Sequence, residues 1–277
     1  MTILFGILCL LLLIAIGVSL FTYSFFWYEN WSDYRRRGRE DSGASLGALT
    51  IRGILSGIAS IILVVVFYPL GFIPRFWKPK EIASAQPVII LVHGLYHNAG
   101  AWLILRHRLR KVGLTNIFAM NYSSFFYDFD AILEKLKRYV QRCAPAAAGQ
   151  PIILIGHSLG GLLSRVYAEQ ATGEEVPALL ITLGTPHRGS KMAAFGIGGL
   201  AASLAYEGEL FERLDHEYKA PPRTAVSLVS PADGLVLPAR GLEPPPGWVR
   251  LETNPVSHVG MLYSKKIAGK VIELIKK

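Results

Sequence analysis

Two long apolar stretches open the chain, and short β-branched runs alternating with helical periodicity fill the rest. Residues 3–28 carry no charged side chain, and neither do residues 53–74. A helix needs about 20 apolar residues to cross a bilayer core, so each run is long enough to span. The pair predicts a transmembrane helical hairpin within residues 1–74, leaving residues 75–277 for one further domain. A cleaved signal peptide would open with basic residues and close on small ones. Met1-Thr2-Ile3 has no basic side chain, and the first run closes on Phe25-Phe26-Trp27-Tyr28, an aromatic ending that suits a membrane interface. A helix pair buried in a soluble domain is the remaining reading, and charge-free runs of this length speak against it.

From residue 87 the pattern changes. Continuous apolar runs at 88–92, 117–121, 152–155, 178–183 and 225–229 predict strands, with a sixth candidate at 248–251. Runs apolar on every residue suit a parallel sheet buried on both faces. Between them, residues 101–112, 129–142, 159–171 and 260–275 carry helical spacing. Alternating strand and helix gives an α/β fold, a doubly wound and mostly parallel sheet. Residues 187–223 break the rhythm between the fourth and fifth strands. They read either as a cap over a site or as a crossover helix with a long connection.

Composition fits this division. The chain is 51% hydrophobic with mean hydropathy +0.35, an excess that the two apolar runs supply. Its net charge of +9 comes from scattered Lys and Arg, not from basic runs interleaved with aromatics. Nucleic acid is therefore not an expected partner. The basic surface is either ordinary solvated surface or a face held near anionic lipid. The loop between the apolar runs carries Arg35, Arg36, Arg37, Arg39 and Arg52, against Arg75, Lys78 and Lys80 after the second run. The positive-inside rule then places the loop in the cytoplasm and the main domain on the non-cytoplasmic side of the membrane. Cys9 and Cys143 lie in unrelated elements, so no disulfide and no zinc spacing is expected.

The chemistry concentrates at Gly156-His157-Ser158-Leu159-Gly160, which joins an apolar strand to a helix. A sharp strand-to-helix turn lifts a serine hydroxyl clear of the sheet, and glycines on either side remove side chains that would clash. A serine hydroxyl is a poor nucleophile without a base. In this arrangement the partners follow in the order acid, then histidine. Asp233 lies just past the fifth strand, and His258 is the only histidine after it. Catalytic residues are therefore expected at Ser158, Asp233 and His258. Oxyanion donors are expected from the backbone N–H of Leu159 and from the loop His93-Gly94-Leu95-Tyr96, through Leu95 with Tyr96 as the alternative. Gly156, His157 and Gly160 complete the nucleophile turn.

Val92-His93-Gly94-Leu95 with Trp102, Asn121-Tyr122, Gly156-His157-Ser158-Leu159-Gly160-Gly161 and Leu183-Gly184-Thr185-Pro186-His187-Arg188-Gly189-Ser190 together resemble the bacterial triacylglycerol lipase and esterase branch of the α/β-hydrolase superfamily. The same set is similar to the GPI-inositol deacylase group. The resemblance covers about residues 87–277. It implies hydrolysis of carboxylic esters, lipid esters in particular, through an acyl-enzyme on Ser158, with no cofactor and no metal. Three departures stand out. The strands that usually precede the His-Gly strand are absent or replaced by the apolar runs, residues 187–223 are short for a large lid, and no calcium site is evident. An acyltransferase would use the same triad, and a non-catalytic membrane interaction module could use the same fold.

Overall fold

The computed structural model describes residues 2–37, 45–217, 219–220 and 223–277. Most of the basic loop read at 35–39, with the Glu40-Asp41 pair and the link behind it, lies outside the residues whose side chains are described, as do residues 218, 221 and 222 of the 187–223 stretch.

Six strands form one sheet: β1 (Val88–Val92), β2 (Ile117–Met120), β3 (Ile152–His157), β4 (Leu179–Leu183), β5 (Thr224–Val229) and β6 (Val249–Glu252). Their order is β2-β1-β3-β4-β5-β6, and every ladder is parallel. Ile90 pairs with Phe118 on one side and Leu154 on the other. The sheet is covered on both faces, which is why its strands read as unbroken apolar runs. Val88, Ile90, Val92, Ile152 and Leu154 face α4 (Phe129–Cys143) and α5 (Leu159–Gln170). Ile89, Leu91, Ile153 and Ile155 face α3 (Leu103–Lys111) and α8 (Lys265–Ile275). Each such fully buried side chain contributes about 1.5–3 kcal/mol.

Two predicted helices begin late. The run at 101–112 opens as a 3-10 turn, Ala99–Trp102, before α3. The run at 260–275 divides into a 3-10 turn, Val259–Leu262, and α8, because Ser264 caps the latter by accepting from the Ile267 N–H. The stretch between β4 and β5 holds a 3-10 turn, Lys191–Phe195, a short helix α6 (Gly199–Ala202), and α7 (Glu209–His216). Leu210, Phe211 and Leu214 of α7 join the core beside α4 and α5.

The apolar front folds as α1 (Thr2–Arg37) and α2 (Leu46–Phe67), followed by 3-10 turns at Tyr68–Phe72 and Pro74–Phe76. Helix α2 starts before its charge-free run, where the Ser45 hydroxyl accepts from the Ala48 N–H, and includes Arg52. By length and composition, Phe5–Trp31 and Leu46–Phe72 could each cross a membrane. The helices pack antiparallel: a Cβ on Gly53 would strike the Tyr23 ring, and one on Gly57 would meet the Ser19 hydroxyl at 2.9 Å. This is the small-residue contact that lets apolar helices approach closely. The opposite side of α2 presents Ile51, Leu55, Ile62 and Val66 outward.

The hairpin also lies against the sheet domain. The Tyr23 hydroxyl donates to the Ala232 carbonyl at 2.6 Å, and the Ser257 N–H donates to the Ser56 hydroxyl at 2.6 Å. Further along, the amides of Asn98 and Asn121 donate to the Tyr68 and Gly71 carbonyls at 2.9 and 2.7 Å.

Candidate active site

Strand order reverses at β1 and β3, and the crevice beyond their carboxyl ends is where open α/β sheets bind ligands. Ser158 stands there, between β3 and α5, with φ +55° and ψ −124°. A non-glycine residue held at positive φ is strained, and such strain persists only where the surroundings enforce it. The enforcement is visible. A Cβ on Gly156 would strike Gly161, one on Gly160 would strike the Val92 and His93 carbonyls, and one on Gly161 would strike the Thr185 hydroxyl. The Ser158 N–H donates to the Leu183 carbonyl at 2.9 Å, pinning the turn to β4.

Asp233 and His258 arrive from the ends of β5 and β6 and meet. His258 Nδ1 donates to Asp233 Oδ2 at 2.7 Å, with both side chains buried. The other carboxylate oxygen accepts the N–H groups of Leu235 and Val236, each at 3.0 Å. Both oxygens are thus engaged and the carboxylate cannot rotate freely. Ser230 ties the two loops together: its hydroxyl donates to the Val256 carbonyl at 2.6 Å and accepts the Val256 N–H at 3.0 Å.

The loop after β1 is held by His93. Its Nδ1 donates to the Gly94 carbonyl at 2.9 Å, and its Nε2 accepts the Tyr122 N–H at 3.3 Å. That pair of contacts requires one neutral tautomer, and burial pushes the His93 pKa down to about 3. The Tyr122 ring stacks on it at 4.0 Å. Of the two candidate donors in this loop, the Tyr96 N–H is taken by the Ser124 hydroxyl at 3.1 Å. Among the described residues, no protein group accepts the N–H of Leu95 or Leu159.

His157 is more than a turn residue. Its Nε2 donates to the His258 carbonyl at 3.1 Å, and the two rings lie 4.7 Å apart. Burial, and then the proximity of His258, hold its pKa well below the ordinary histidine value. His97 is likewise lowered, to about 4, by enclosure and by His258. Both neighbours therefore stay neutral. Among the described residues, no group of three or more His, Cys, Asp or Glu side chains could hold a metal ion.

A cavity of about 470 Å³ opens above Ser158 and His258. No Lys, Arg, Asp or Glu lines it. Its walls include Met192 and Phe195 from the stretch after β4, and Val18, Phe21 and Thr22 from α1. Sequence reasoning missed the contribution of the hairpin. The available signal was the set of small and hydroxyl residues, Ser19, Thr22, Tyr23, Gly53, Ser56, Gly57 and Ser60, inside otherwise greasy runs.

Residues 89–275 match the family model described as the alpha/beta hydrolase family. The chain is 36% identical over 124 residues to a triacylglycerol lipase of Pseudarthrobacter phenanthrenivorans, covering 41% of this chain and 37% of that protein. A triacylglycerol lipase of Burkholderia plantarii matches at the same identity over 41% of this chain and 33% of its own length. The match thus spans about a third of the length of those relatives. Among solved structures, the mature lipase of Bacillus licheniformis superposes with a TM-score of 0.58 at 19% identity, over 72% of this chain and 95% of that one. Lipase B of Aspergillus fumigatus gives 0.54 at 16% identity, over 72% and 55%. With the sheet order, the strand-to-helix turn and the family match in agreement, this chain belongs to the α/β-hydrolase family.

Proposed function

We propose that the protein hydrolyses carboxylic esters by acyl transfer through Ser158, and that the two apolar helices hold it at a membrane whose lipids supply the esters. The observation that carries this reading is the 2.7 Å bond from His258 Nδ1 to Asp233 Oδ2, in a cavity shared by His258 and Ser158. With Nδ1 committed to Asp233, Nε2 is the nitrogen left to take the Ser158 proton. Ser158 Oγ then attacks the ester carbonyl, and the N–H groups of Leu95 and Leu159 receive the oxyanion. The intermediate collapses as His258 returns the proton to the departing alcohol. Water, deprotonated by the same nitrogen, releases the acid and restores Ser158. Throughout, the Asp233 carboxylate stabilises the imidazolium and fixes its tautomer.

The charge-free lining suits a neutral acyl chain, and the triacylglycerol lipases named above share a 124-residue stretch with this chain. The domain division at residue 74 follows the end of the second apolar run, and the non-cytoplasmic placement of the hydrolase domain follows the charge asymmetry around the hairpin. Protease accessibility in sealed vesicles tests the placement: digestion only after permeabilisation of right-side-out vesicles would contradict it. The activity is tested with purified full-length protein and p-nitrophenyl butyrate. Wild type should release nitrophenol and Ser158→Ala should not. Folded wild-type protein that turns over no ester would overturn the proposal.

A further inference from the structure

Helix α1 does more than bring the enzyme to lipid. Val18, Phe21 and Thr22 form part of the cavity wall above Ser158. The helix is fixed in that place by contacts beside the acid. The Tyr23 hydroxyl donates to the carbonyl of Ala232, the residue before Asp233, and a Cβ on Gly234 would meet the Thr22 methyl at 3.0 Å. On its other flank, Phe195 sets its ring against Phe21 at 5.1 Å and Phe25 at 4.9 Å, and Lys191 pairs with Glu29 at 2.7 Å. The segment that roofs the cavity is therefore fastened to α1.

Val18 and Phe21 line the cavity and are each 47% exposed. Just beyond them, Phe5, Leu8, Leu10 and Leu13 of the same helix are exposed and apolar. Apolar side chains of α1 thus continue from the cavity wall onto the exposed part of the helix, and no Lys, Arg, Asp or Glu lines the cavity.

From this placement we infer that α1 is the gauge for the acyl chain: Val18 and Phe21 set the chain length accepted, and the chain enters sideways along the helix from hydrocarbon. This rests on the ester-hydrolase reading of the site. The occupant is the long apolar tail of a lipid ester, whose carbonyl comes to rest over Ser158.

The test uses full-length protein in one detergent, with p-nitrophenyl esters from butyrate to palmitate. Val18→Trp narrows the path, and the palmitate-to-butyrate ratio of kcat/KM should fall tenfold or more. Phe21→Ala should raise that ratio. Leu20→Trp, on an outward position of the same turn, should leave it unchanged. Fluorophosphonate labelling of each variant reports an intact site, and Phe21→Trp replaces Val18→Trp if the latter fails to label. An unchanged ratio in labelled Val18→Trp and Phe21→Ala, or an equal loss on every ester, overturns the inference while leaving the hydrolase reading intact. Absence of turnover and labelling in folded wild type overturns both.

Discussion

The hydroxyl of Ser56, in the middle of α2, accepts a 2.6 Å hydrogen bond from the N–H of Ser257, the residue before His258. Ser60 from the same helix lies 3.4 Å from the Ser257 hydroxyl. The apolar hairpin thus holds the loop that carries His258, as Tyr23 holds the turn that carries Asp233.

Ser56→Ala should expose this dependence. It strips a buried N–H of its acceptor, a change that costs about 1–3 kcal/mol locally. The base loop then loosens, so kcat should fall about tenfold with KM nearly unchanged, and Ser56→Thr should recover most of the loss. Steady-state kinetics on the three proteins decide the matter. An equal fall in thermal stability without the kcat effect would reduce Ser56 to a packing role.

Asp233→Asn should leave the fold in place and remove the force that fixes the His258 tautomer. The expected loss in kcat is about 10⁴-fold, the size of the effect when a serine protease triad loses its aspartate in this way. A loss under tenfold would mean that another group orients His258.

Two glycines should respond in opposite directions to alanine. At Gly160 the new methyl would run into the Val92 and His93 carbonyls, which the sheet prevents from moving. Overpacking of this kind costs about 1–3 kcal/mol, and displacement of the turn should abolish activity as well. At Gly269 in α8 nothing lies within 4 Å, so alanine should stabilise by up to about 1 kcal/mol. Thermal melts of the two variants against wild type check both signs.

Acid should weaken the protein before its carboxylates titrate. His93, His157 and His187 are buried and neutral, the first lowered to about 3 and the others well below 6.5, chiefly by burial. Unfolded chain takes up protons at these positions below pH 6.5, whereas folded chain does not. Their contribution to stability is therefore complete above 6.5 and is lost as pH falls below it, down to about 3 for His93. Each group accounts for about 1.4 kcal/mol per pH unit in that window. His187→Gln should flatten the melting-temperature profile between pH 6.5 and 5 by one proton's worth. A wild-type profile flat over this interval would contradict the assignment of neutral histidines.

Much of the sheet domain was legible because its signals are local. Unbroken β-branched runs mark strands covered on both faces, and the Gly-His-Ser-Leu-Gly turn declares itself between Ile152–His157 and α5. β6 was harder to read because three of its four residues are exposed, leaving little of the apolar pattern. The break before α8 was hidden by Met261 and Leu262, which continue the apolar spacing across the Ser264 cap. The hairpin's part in the site left only a faint trace. An apolar run shows by its lack of charge that lipid or core surrounds it, but Ser56 and Ser257 meet across 201 residues, and nothing near either one names its partner.

The most direct test of the central claim is labelling of purified full-length protein with a fluorophosphonate, followed by peptide mass mapping. One adduct per chain should form on Ser158, be lost in Ser158→Ala and form far more slowly in His258→Ala. Folded wild-type protein that takes up no probe, or an adduct that persists in Ser158→Ala, would contradict it.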